Sequence, residues 1–387
     1  MTSITPALLP DAVRTKRPAA GEAASYAVIG TGWRADIFIR LAYLLPERFR
    51  ITRVLAHSDR SAERVARDWG TPVARNLDEL LVGETPDFVV VAVPWPTTPV
   101  LIRELVARGV RVVAETPPAP DLDGLRSLWS EVGASRLVQV AEQYPLFPLH
   151  AARLALTRDG VIGTPTSVQL SSTHQYHAVA LIRAFLGTGI GPATVRAFRA
   201  TAPLTDPITP TGWTHDLSPK PAATTISTID FGQGRFGLYD FTDNQWWNPV
   251  RPDHLTVRGS AGEIHDELVV RMADEVTPVS SRIERGITGL GMNFEGFDTT
   301  QLTFDGKVVY RNGFEGPRLS DDEIAVATLL EQTGAWAREG GPEPYPLAEA
   351  IHDHHLALAI NEAVATGGAV EVGVEDWGAA GARSERK

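Results

Sequence analysis

A glycine-containing stretch near the start of the chain has the residue types and spacing needed to bind a diphosphate. Gly30, Gly32 and Ala35 form a G-x-G-x-x-A pattern that follows the apolar run YAVIG and precedes a segment with helical spacing. The first glycine permits a tight turn, the second lets the backbone approach the ligand, and the small third residue allows close packing. Amides at the start of the helix would bind the anion. The pattern predicts a dinucleotide site, with an ordinary glycine turn as the alternative.

The residues after the second apolar run bear on which dinucleotide is bound. NAD sites usually carry an acid there, which binds the ribose 2′-hydroxyl. Here Ala56, His57 and Ser58 occupy these positions, and Asp59 follows slightly late. Arg60 would instead suit a 2′-phosphate. We expect NAD, because no clear pair of basic residues is present, and NADP stays open.

The elements that must position this loop alternate between strand and helix. Short apolar runs bounded by turn residues are separated by segments with helical spacing, and the runs lie at 26–30, 51–57, 87–93, 110–115 and 136–141. This alternation is typical of a doubly wound parallel sheet. It predicts a Rossmann domain over residues 26–146.

The pattern changes after His150. One helical segment at 177–187 is followed by long alternating stretches at 224–241 and 255–267. Such stretches favour a mostly antiparallel sheet with one covered face. We expect residues 147–375 to form an α+β substrate-binding domain, which gives an α/β chain overall.

The two ends of the chain are expected to add little to the fold. Residues 1–25 read as a disordered leader, and residues 376–387 as a frayed tail. The segment at about 346–366 has helical spacing and could pack back on the Rossmann domain.

Composition excludes several classes of function. The chain has 387 residues, enough for two domains, and a formal net charge of -11 at pH 7, which argues against nucleic acid or an anionic membrane as partner. It has no cysteine, which excludes disulfides and thiol chemistry and fits a cytoplasmic location. No stretch approaches the about 20 apolar residues of a membrane span.

Several motifs together resemble the Gfo/Idh/MocA family of NAD(P)-dependent sugar oxidoreductases from Tyr26 to Val370. They are VIGTGWRA, VVVAVPWP (89–96), AETPPAPD (114–121) where the family usually has Glu-Lys-Pro, HAVALIRAFLG where it has a His-x-x-Asp helix, and VRGSAGEI (257–264). The resemblance implies a Rossmann domain carrying the dinucleotide and a sheet domain closing over nicotinamide and sugar. Hydride would move between nicotinamide C4 and a sugar carbon, with an acid/base group handling the hydroxyl proton.

Two positions depart from the family pattern. The family lysine is replaced by Thr116 and the helix aspartate by Ala180. A threonine hydroxyl can donate and accept a hydrogen bond, but it is a poor general base. Another group must therefore carry the proton.

His177 occupies the family histidine position and is the first choice, since imidazole titrates near neutral pH. His174 lies three residues earlier and would share its face if the helix has begun by then. Tyr176 and Tyr144 are weaker candidates, because a phenol needs a lowered pKa to act as a base. A capping or merely satisfied histidine is the alternative for each imidazole.

The remaining cofactor candidates lie near the predicted strand ends. Glu115 is expected to contact the nicotinamide ribose, with a solvated acid as the alternative. The others are expected to line the cofactor, although aromatic residues pack in cores by default. They are Trp33, Arg34, Pro94, Trp95 and Gln143.

The sequence IHDHHLAL invites a metal interpretation, which we do not favour. A helical two-histidine site needs i, i+4 spacing and a ligand from elsewhere. His352, Asp353, His354 and His355 instead fit a mixed surface face of a helix. We expect no metal there.

Two loops of the second domain have the composition of a sugar site. Aromatic faces cover the apolar side of a sugar ring while polar groups fix its hydroxyls, and cations would pair with an anionic sugar. Ordinary loops are the alternative. The candidates in 211–221 and 243–254 are Trp213, His215, Lys220, Trp246, Asn248 and Arg251.

Three functions follow from the resemblance. The first is an oxidoreductase that moves a hydride between nicotinamide and a ring carbon, C3 preferred, of a sugar or sugar derivative. The second resembles family members that lack the lysine and act as glycosidases: they oxidise C3, eliminate the aglycone, add water and return the hydride, an anionic sugar such as sulfoquinovose being a candidate substrate. The third is a non-catalytic dinucleotide or sugar sensor. A homodimer or homotetramer through the second-domain sheet is expected.

Overall fold

The computed structural model describes residues 23–209, 211–289 and 298–378. The strands within these residues are β1 Ala24–Ile29, β2 Phe49–Leu55, β3 Val73–Ala74, β4 Phe88–Val91, β5 Val112–Ala114, β6 Val138–Val140, β7 Pro165–Ser171, β8 Ala193–Leu204, β9 Ile208–Thr209, β10 Gly212–Trp213, β11 Lys220–Asp230, β12 Phe236–Thr242, β13 His254–Gly259, β14 Gly262–His265, β15 Leu268–Met272, β16 Pro278–Arg282, β17 Glu284–Ile287, β18 Thr299–Phe304, β19 Lys307–Arg311 and β20 Val370–Val372. The α-helices are α1 Trp33–Leu44, α2 Asp59–Trp69, α3 Leu77–Leu81, α4 Thr98–Ala107, α5 Leu122–Val132, α6 Pro148–Arg158, α7 Gln175–Leu186, α8 Asp321–Glu339 and α9 Leu347–Thr366.

The first sheet has the strand order β3-β2-β1-β4-β5-β6, and its described pairings are parallel. Helices follow its strands along the chain, which is the doubly wound Rossmann arrangement. The fold class predicted from the alternating pattern is therefore confirmed. Of these six strands, only β3 was not predicted, since it has two residues.

The described chain divides into two compact units. The first comprises the described parts of Met1–Ala92, Leu146–Leu156 and Ser281–Pro344. In it α8 packs against β1, α1 and β4, and β17, β18 and β19 form a small antiparallel sheet. Helix α8 was not predicted, although Ser320 and Glu323 form a capping box at its start.

The second unit comprises the described parts of Val93–Pro145, Thr157–Ser280 and Tyr345–Lys387. Most of its strands join the nine-stranded sheet β16-β15-β14-β13-β7-β12-β11-β8-β20. The pairing of β7 with β12 is parallel, whereas neighbours such as β11 with β8 are antiparallel. This confirms the predicted large, mostly antiparallel sheet. The domain limits drawn from the sequence stay predictions.

The middle of helix α9, residues 350–360, is buried on every side rather than amphipathic. It packs against α7, β8 and β20, and also against α5 and β6. His352, Asp353, His354 and His355 are at most 7% exposed, so the predicted surface face is wrong. The physical reason is that helices and strands pack around the middle of α9, which leaves no solvent-facing stripe there.

The predicted ends of the chain need two corrections. Strand β1 begins at Ala24, two residues earlier than expected, and residues 1–22 lie outside the described residues. Trp377, assigned to a frayed tail, is 1% exposed and packs edge-on against His355, with ring centroids 5.8 Å apart. Residues 379–387 lie outside the described part. Among the described residues, none of the helices is long and apolar enough to cross a bilayer.

Candidate functional site

The glycine loop has the backbone geometry that a diphosphate requires. Gly30 has φ of +127°, and a Cβ there would lie 2.1 Å from the carbonyl oxygen of Ala92, so only glycine fits. Gly32 is extended and directly precedes α1, and a Cβ there would meet nothing within 4 Å. Open space beside a helix N-terminus is what a dinucleotide diphosphate needs. The loop therefore fits the cofactor that its pattern predicts.

The side chains beside this loop include one basic residue that sequence reasoning missed. Arg64, on α2, lies 2.9 Å from the carboxylate of Asp36 and also donates to the carbonyl oxygen of Thr31 within the loop. Arg64 thus joins α2 to the loop next to the predicted anion site.

The other cofactor candidates of the first unit have separate local roles. Arg34 pairs with Asp322 at 3.2 Å, and Trp33 is 76% exposed at the start of α1. Ser58 caps α2 through the amide of Ser61. The exposed side chain of Arg60 lies in the first turn of α2. Ala35 is fully buried in α1, which packs on β1; its role as the third position of the fingerprint stays a prediction.

A buried carboxylate–imidazole pair forms the centre of the second site. Glu142 follows β6, and His177 lies in the first turn of α7. His177 Nδ1 is 2.6 Å from Glu142 Oε2, and the two side chains are 9% and 3% exposed. Glu142 Oε1 also accepts a hydrogen bond from the amide of Tyr144 at 3.2 Å. With the proton assigned to Nδ1, the carboxylate fixes the imidazole tautomer and orientation.

Three aromatic rings predicted as catalytic candidates surround this imidazole. The ring centroids of Tyr144, Tyr176 and His174 lie 4.3, 4.5 and 5.1 Å from that of His177. The Nε2 atom of His174 is 3.2 Å from the Tyr176 hydroxyl. Trp246, predicted to face the sugar, packs edge-on against His174 at 4.9 Å. The structure therefore brings these five side chains together.

Burial shifts the protonation of two members of this cluster. Burial, with the neighbouring His177, lowers the pKa of His174 to about 3, so this ring is neutral at neutral pH. Burial raises the pKa of Tyr176, and the charges of Glu142 and Glu115 raise it further, while a hydrogen bond with Thr116 opposes the shift. Tyr176 is consequently a proton-bearing group and not a phenolate base.

A small pocket adjoins the cluster. Its lining residues come from the end of β5, the end of β6, α7 and α9: they are Thr116, Pro117, Pro118, Glu142, Tyr176, Ala350, Asp353 and His354. The peptide bond between Thr116 and Pro117 is cis. Predicted catalytic residues and the unpredicted Glu142 thus share one concave surface.

An ionic network in the second unit supports α7 and α9. Arg183 lies 2.5 Å from Asp353 and 2.6 Å from Glu349, and Tyr345 donates to Asp353 at 2.5 Å. Burial raises the pKa of Asp353 to about 6, although Arg183 opposes this shift. Because α7 carries His177 and α9 carries His354, the network holds both helices that line the pocket.

The remaining substrate candidates do not join the histidine cluster. Lys220 is exposed and pairs with Asp216 at 3.1 Å. The buried amide of Asn248 donates to the carbonyl of Thr205 at 2.8 Å, so it holds its own loop. The side chains of Trp213, His215 and Arg251 are exposed, and within the described residues neither Trp213 nor His215 makes a ring contact with His174 or His177.

The other cofactor candidates of the second unit follow its parallel strands or precede α4. Glu115 is half-buried after β5, and Gln143 is 5% exposed after β6. Pro94 and the 47% exposed Trp95 lie before α4. Their contacts with a dinucleotide stay predictions.

The fold and the glycine loop define an NAD-binding Rossmann protein with a second, sheet-containing unit. Residues 24–142 match the Gfo/Idh/MocA model, described as an oxidoreductase family with an NAD-binding Rossmann fold. The match of this part of the chain to the family model confirms the resemblance and the cofactor NAD. A search of curated proteins finds no match.

Solved structures share the fold over nearly the whole chain. A myo-inositol dehydrogenase from Corynebacterium glutamicum is 17% identical with a TM-score of 0.62, covering 90% of this chain and 99% of that one. A levoglucosan dehydrogenase in complex with NADH and levoglucosan is 16% identical with a TM-score of 0.64, covering 90% and 99%. An oxidoreductase from Agrobacterium radiobacter in complex with NAD+, L-tartaric acid and magnesium is 15% identical with a TM-score of 0.62, covering 90% and 98%. At these identities the likeness shows a common fold.

Proposed function

We propose that this chain is an NAD-dependent oxidoreductase that oxidises a hydroxyl-bearing ring carbon, C3 preferred, of a sugar or sugar derivative. The family of residues 24–142 supports the oxidoreductase class. Fold relatives named for myo-inositol and levoglucosan support a polyhydroxylated ring as substrate. The observation that carries the proposal is the buried Glu142–His177 pair, because alcohol oxidation needs a positioned proton acceptor.

In this reaction bound NAD supplies the hydride acceptor. His177 takes the hydroxyl proton through Nε2 while Glu142 holds the Nδ1 proton and stabilises the imidazolium that forms. The pair therefore replaces the function of the family lysine, at whose position Thr116 stands. Water exclusion by the surrounding rings strengthens the interaction, since Glu142 and His177 are both buried.

Neighbouring side chains orient the sugar. Tyr176 keeps its proton and donates a hydrogen bond to a substrate oxygen, with Thr116 and His174 setting the direction of its hydroxyl. Trp246 offers a half-exposed ring beside His174 for the apolar face of the sugar. Exposed Lys220, engaged with Asp216, gives little support for an anionic substrate.

A redox-neutral glycosidase is the second candidate. Elimination after C3 oxidation needs a base near C2 and a proton donor for the departing aglycone. His177 as the base and Tyr176, which keeps its proton, as the donor have ring centroids 4.5 Å apart, and this arrangement favours the candidate. The absence of lysine at position 116 agrees with it.

One experiment separates the candidates. The purified protein is given NAD with sugars, inositols and aryl glycosides, while NADH absorbance and aglycone release are followed. A dehydrogenase accumulates NADH in proportion to oxidised sugar, whereas a glycosidase releases aglycone without net NADH. Binding of NAD without turnover of any substrate would contradict both enzyme proposals and leave the non-catalytic sensor as the remaining function.

His177→Ala should abolish turnover with little change in NAD affinity, and a near-normal rate would remove His177 from the reaction.

We also propose a homodimer or homotetramer formed through the nine-stranded sheet. Phe198 on β8 is 57% exposed, and Val270 and Met272 on β15 are 42% and 45% exposed. Apolar side chains on a sheet favour a twofold partner. Light scattering measures the mass directly, and a monomer at micromolar concentration would contradict this proposal.

The acidic net charge and lack of cysteine support a cytoplasmic protein without nucleic-acid or membrane partners.

A further inference from the structure

Two histidines and one carboxylate converge on the hairpin formed by β13 and β14, outside the residues of the candidate site. His254 begins β13, His265 ends β14, and Asp266 follows directly. One nitrogen of each imidazole and one carboxylate oxygen all lie within 4.8 Å of one another. Imidazole nitrogen and carboxylate oxygen are ligands for divalent transition metals, so this convergence raises the question of a metal site.

The distances suit a single small cation. The Oδ2 atom of Asp266 is 2.9 Å from His254 Nδ1 and 3.7 Å from His265 Nε2. Zinc bonds of about 2.0–2.2 Å in tetrahedral geometry separate neighbouring ligand atoms by roughly 3.4 Å, which lies between these two values. Both imidazoles are about half exposed, with side-chain exposures of 51% and 52%. They can rotate toward a common ion at little cost, and solvent gives the ion direct access.

Neighbouring groups orient the ligand atoms. The hydroxyl of Thr256 lies 2.8 Å from His265 Nδ1; when it accepts the Nδ1 proton, Nε2 keeps its lone pair for a metal. The amide of Leu255 donates to Asp266 Oδ1 at 2.9 Å, which leaves Oδ2 facing the histidines. An exposed histidine–aspartate hydrogen bond alone would not require these supporting contacts.

We propose that His254, His265 and Asp266 bind one divalent transition-metal ion, zinc above all, with solvent in the remaining coordination positions. Three protein ligands leave at least one position open. The ion would join the start of β13 to the end of β14 and so clamp the hairpin. The proposal is independent of the dehydrogenase and glycosidase reactions.

Zinc titration of the untagged full chain, followed by calorimetry, tests the proposal. The wild type should bind one more equivalent of zinc than His254→Ala/His265→Ala, whose folding is checked by circular dichroism. Equal stoichiometry in the two proteins, or an absence of zinc binding to the wild type, would overturn the assignment. Because the comparison counts sites, zinc bound by the histidines near the pocket contributes equally to both proteins.

Two further variants sharpen the result. Thr256→Val removes only the contact that orients His265, and loss of such a supporting group typically weakens metal binding about 10–100-fold. His57→Ala removes an exposed histidine elsewhere and should leave the affinity unchanged. Unchanged affinity in Thr256→Val together with zinc loss in His57→Ala would contradict the proposed ligands.

Discussion

The carboxylate of Glu142 and the imidazole of His177 form a buried pair, with Oε2 2.6 Å from Nδ1. Each comes from a different kind of element: Glu142 follows a parallel strand, and His177 lies in the first turn of a helix. A carboxylate at Nδ1 presents the opposite ring nitrogen for proton transfer. Glu142 is therefore a positioning residue for the proposed reaction, acting through His177.

Glu142→Gln should lower kcat by about 10²–10⁴-fold while KM for NAD changes little. Glutamine has nearly the same volume, but its neutral amide no longer stabilises the imidazolium or fixes one tautomer. Steady-state kinetics with separate kcat and KM values makes the measurement. Glu131→Gln, which alters an exposed glutamate paired with Arg103, is the matched control. Equal kcat in Glu142→Gln and the wild type would show that the pair is structural.

Tyr176→Phe should reduce kcat by about 10-fold or more because the substrate loses a hydrogen-bond donor. In the wild type the raised Tyr176 pKa keeps the hydroxyl protonated beyond pH 10, so Tyr176 should give no alkaline fall in rate below that pH. A pH profile of kcat from pH 6 to 10 tests both points. Tyr43→Phe, at a 69% exposed position, should change neither kcat nor its pH profile. If kcat of the wild type falls near pH 8 and Tyr176→Phe removes that fall, the Tyr176 hydroxyl is not protonated up to pH 10 and the prediction is wrong.

Local patterns predicted the first sheet well because β1, β4, β5 and β6 are buried on both faces. Such strands appear as continuous apolar runs, and those at β1, β2 and β4 to β6 were recognised to within a few residues. Helices α4 and α7 were recognised from spacing and from the glycines after them. Helix α8 was missed although its capping signal is present.

The unpredicted features depend on contacts between distant residues. The partners Glu142 and His177 are 35 positions apart, and no spacing rule connects them. The position of Glu142, just after the buried strand β6, was the one local signal that this carboxylate belongs to the site. The surface position predicted for the histidines of α9 rested on their spacing, which does not suit a helical metal site. The apolar residues on all sides of that helix were the better guide to its burial.

Gly32→Val should abolish NAD binding without lowering stability. A Cβ at this position meets nothing within 4 Å in the protein, so the added side chain occupies the space of the diphosphate only. Calorimetric titration with NAD and a thermal melt without it measure the two effects. Gly373→Val is the matched control, since a Cβ there is also unobstructed. NAD binding of normal strength in Gly32→Val would refute the assignment of the loop.

The histidines of α9 should make the protein sensitive to acid. Burial lowers the pKa of His352 to about 3 and that of His354 to about 4, whereas an unfolded histidine titrates near 6.5. Above about pH 6.5 these rings are neutral in both states, whereas at lower pH the unfolded state binds protons that the folded state does not. Each histidine therefore lowers the free energy of unfolding by up to about 1.4 kcal/mol per pH unit as pH falls from about 6.5 toward its folded-state pKa. Denaturant unfolding at pH 7.5 and 5.0 should show a smaller loss for His352→Gln than for the wild type. His57→Gln should match the wild type, and identical losses in all three would contradict this origin.

Removing one member of the Arg183–Asp353 pair should be strongly destabilising. The two side chains are 4% and 3% exposed, and a buried charge left without its partner costs about 3–5 kcal/mol. Arg183→Leu should therefore lower the free energy of unfolding by that amount, measured by denaturant titration at pH 7.

The matched control for this pair is Arg126→Leu, which breaks the more exposed contact with Glu375 and should cost at most about 1 kcal/mol. Tyr345→Phe removes one hydrogen bond to the Asp353 carboxylate and should cost about 1.5–3 kcal/mol. This order follows from desolvation, because the Asp353 charge has no solvent to replace Arg183 once the guanidinium is gone. Equal losses for Arg183→Leu and Arg126→Leu would mean that the buried pair contributes no more than a surface ion pair.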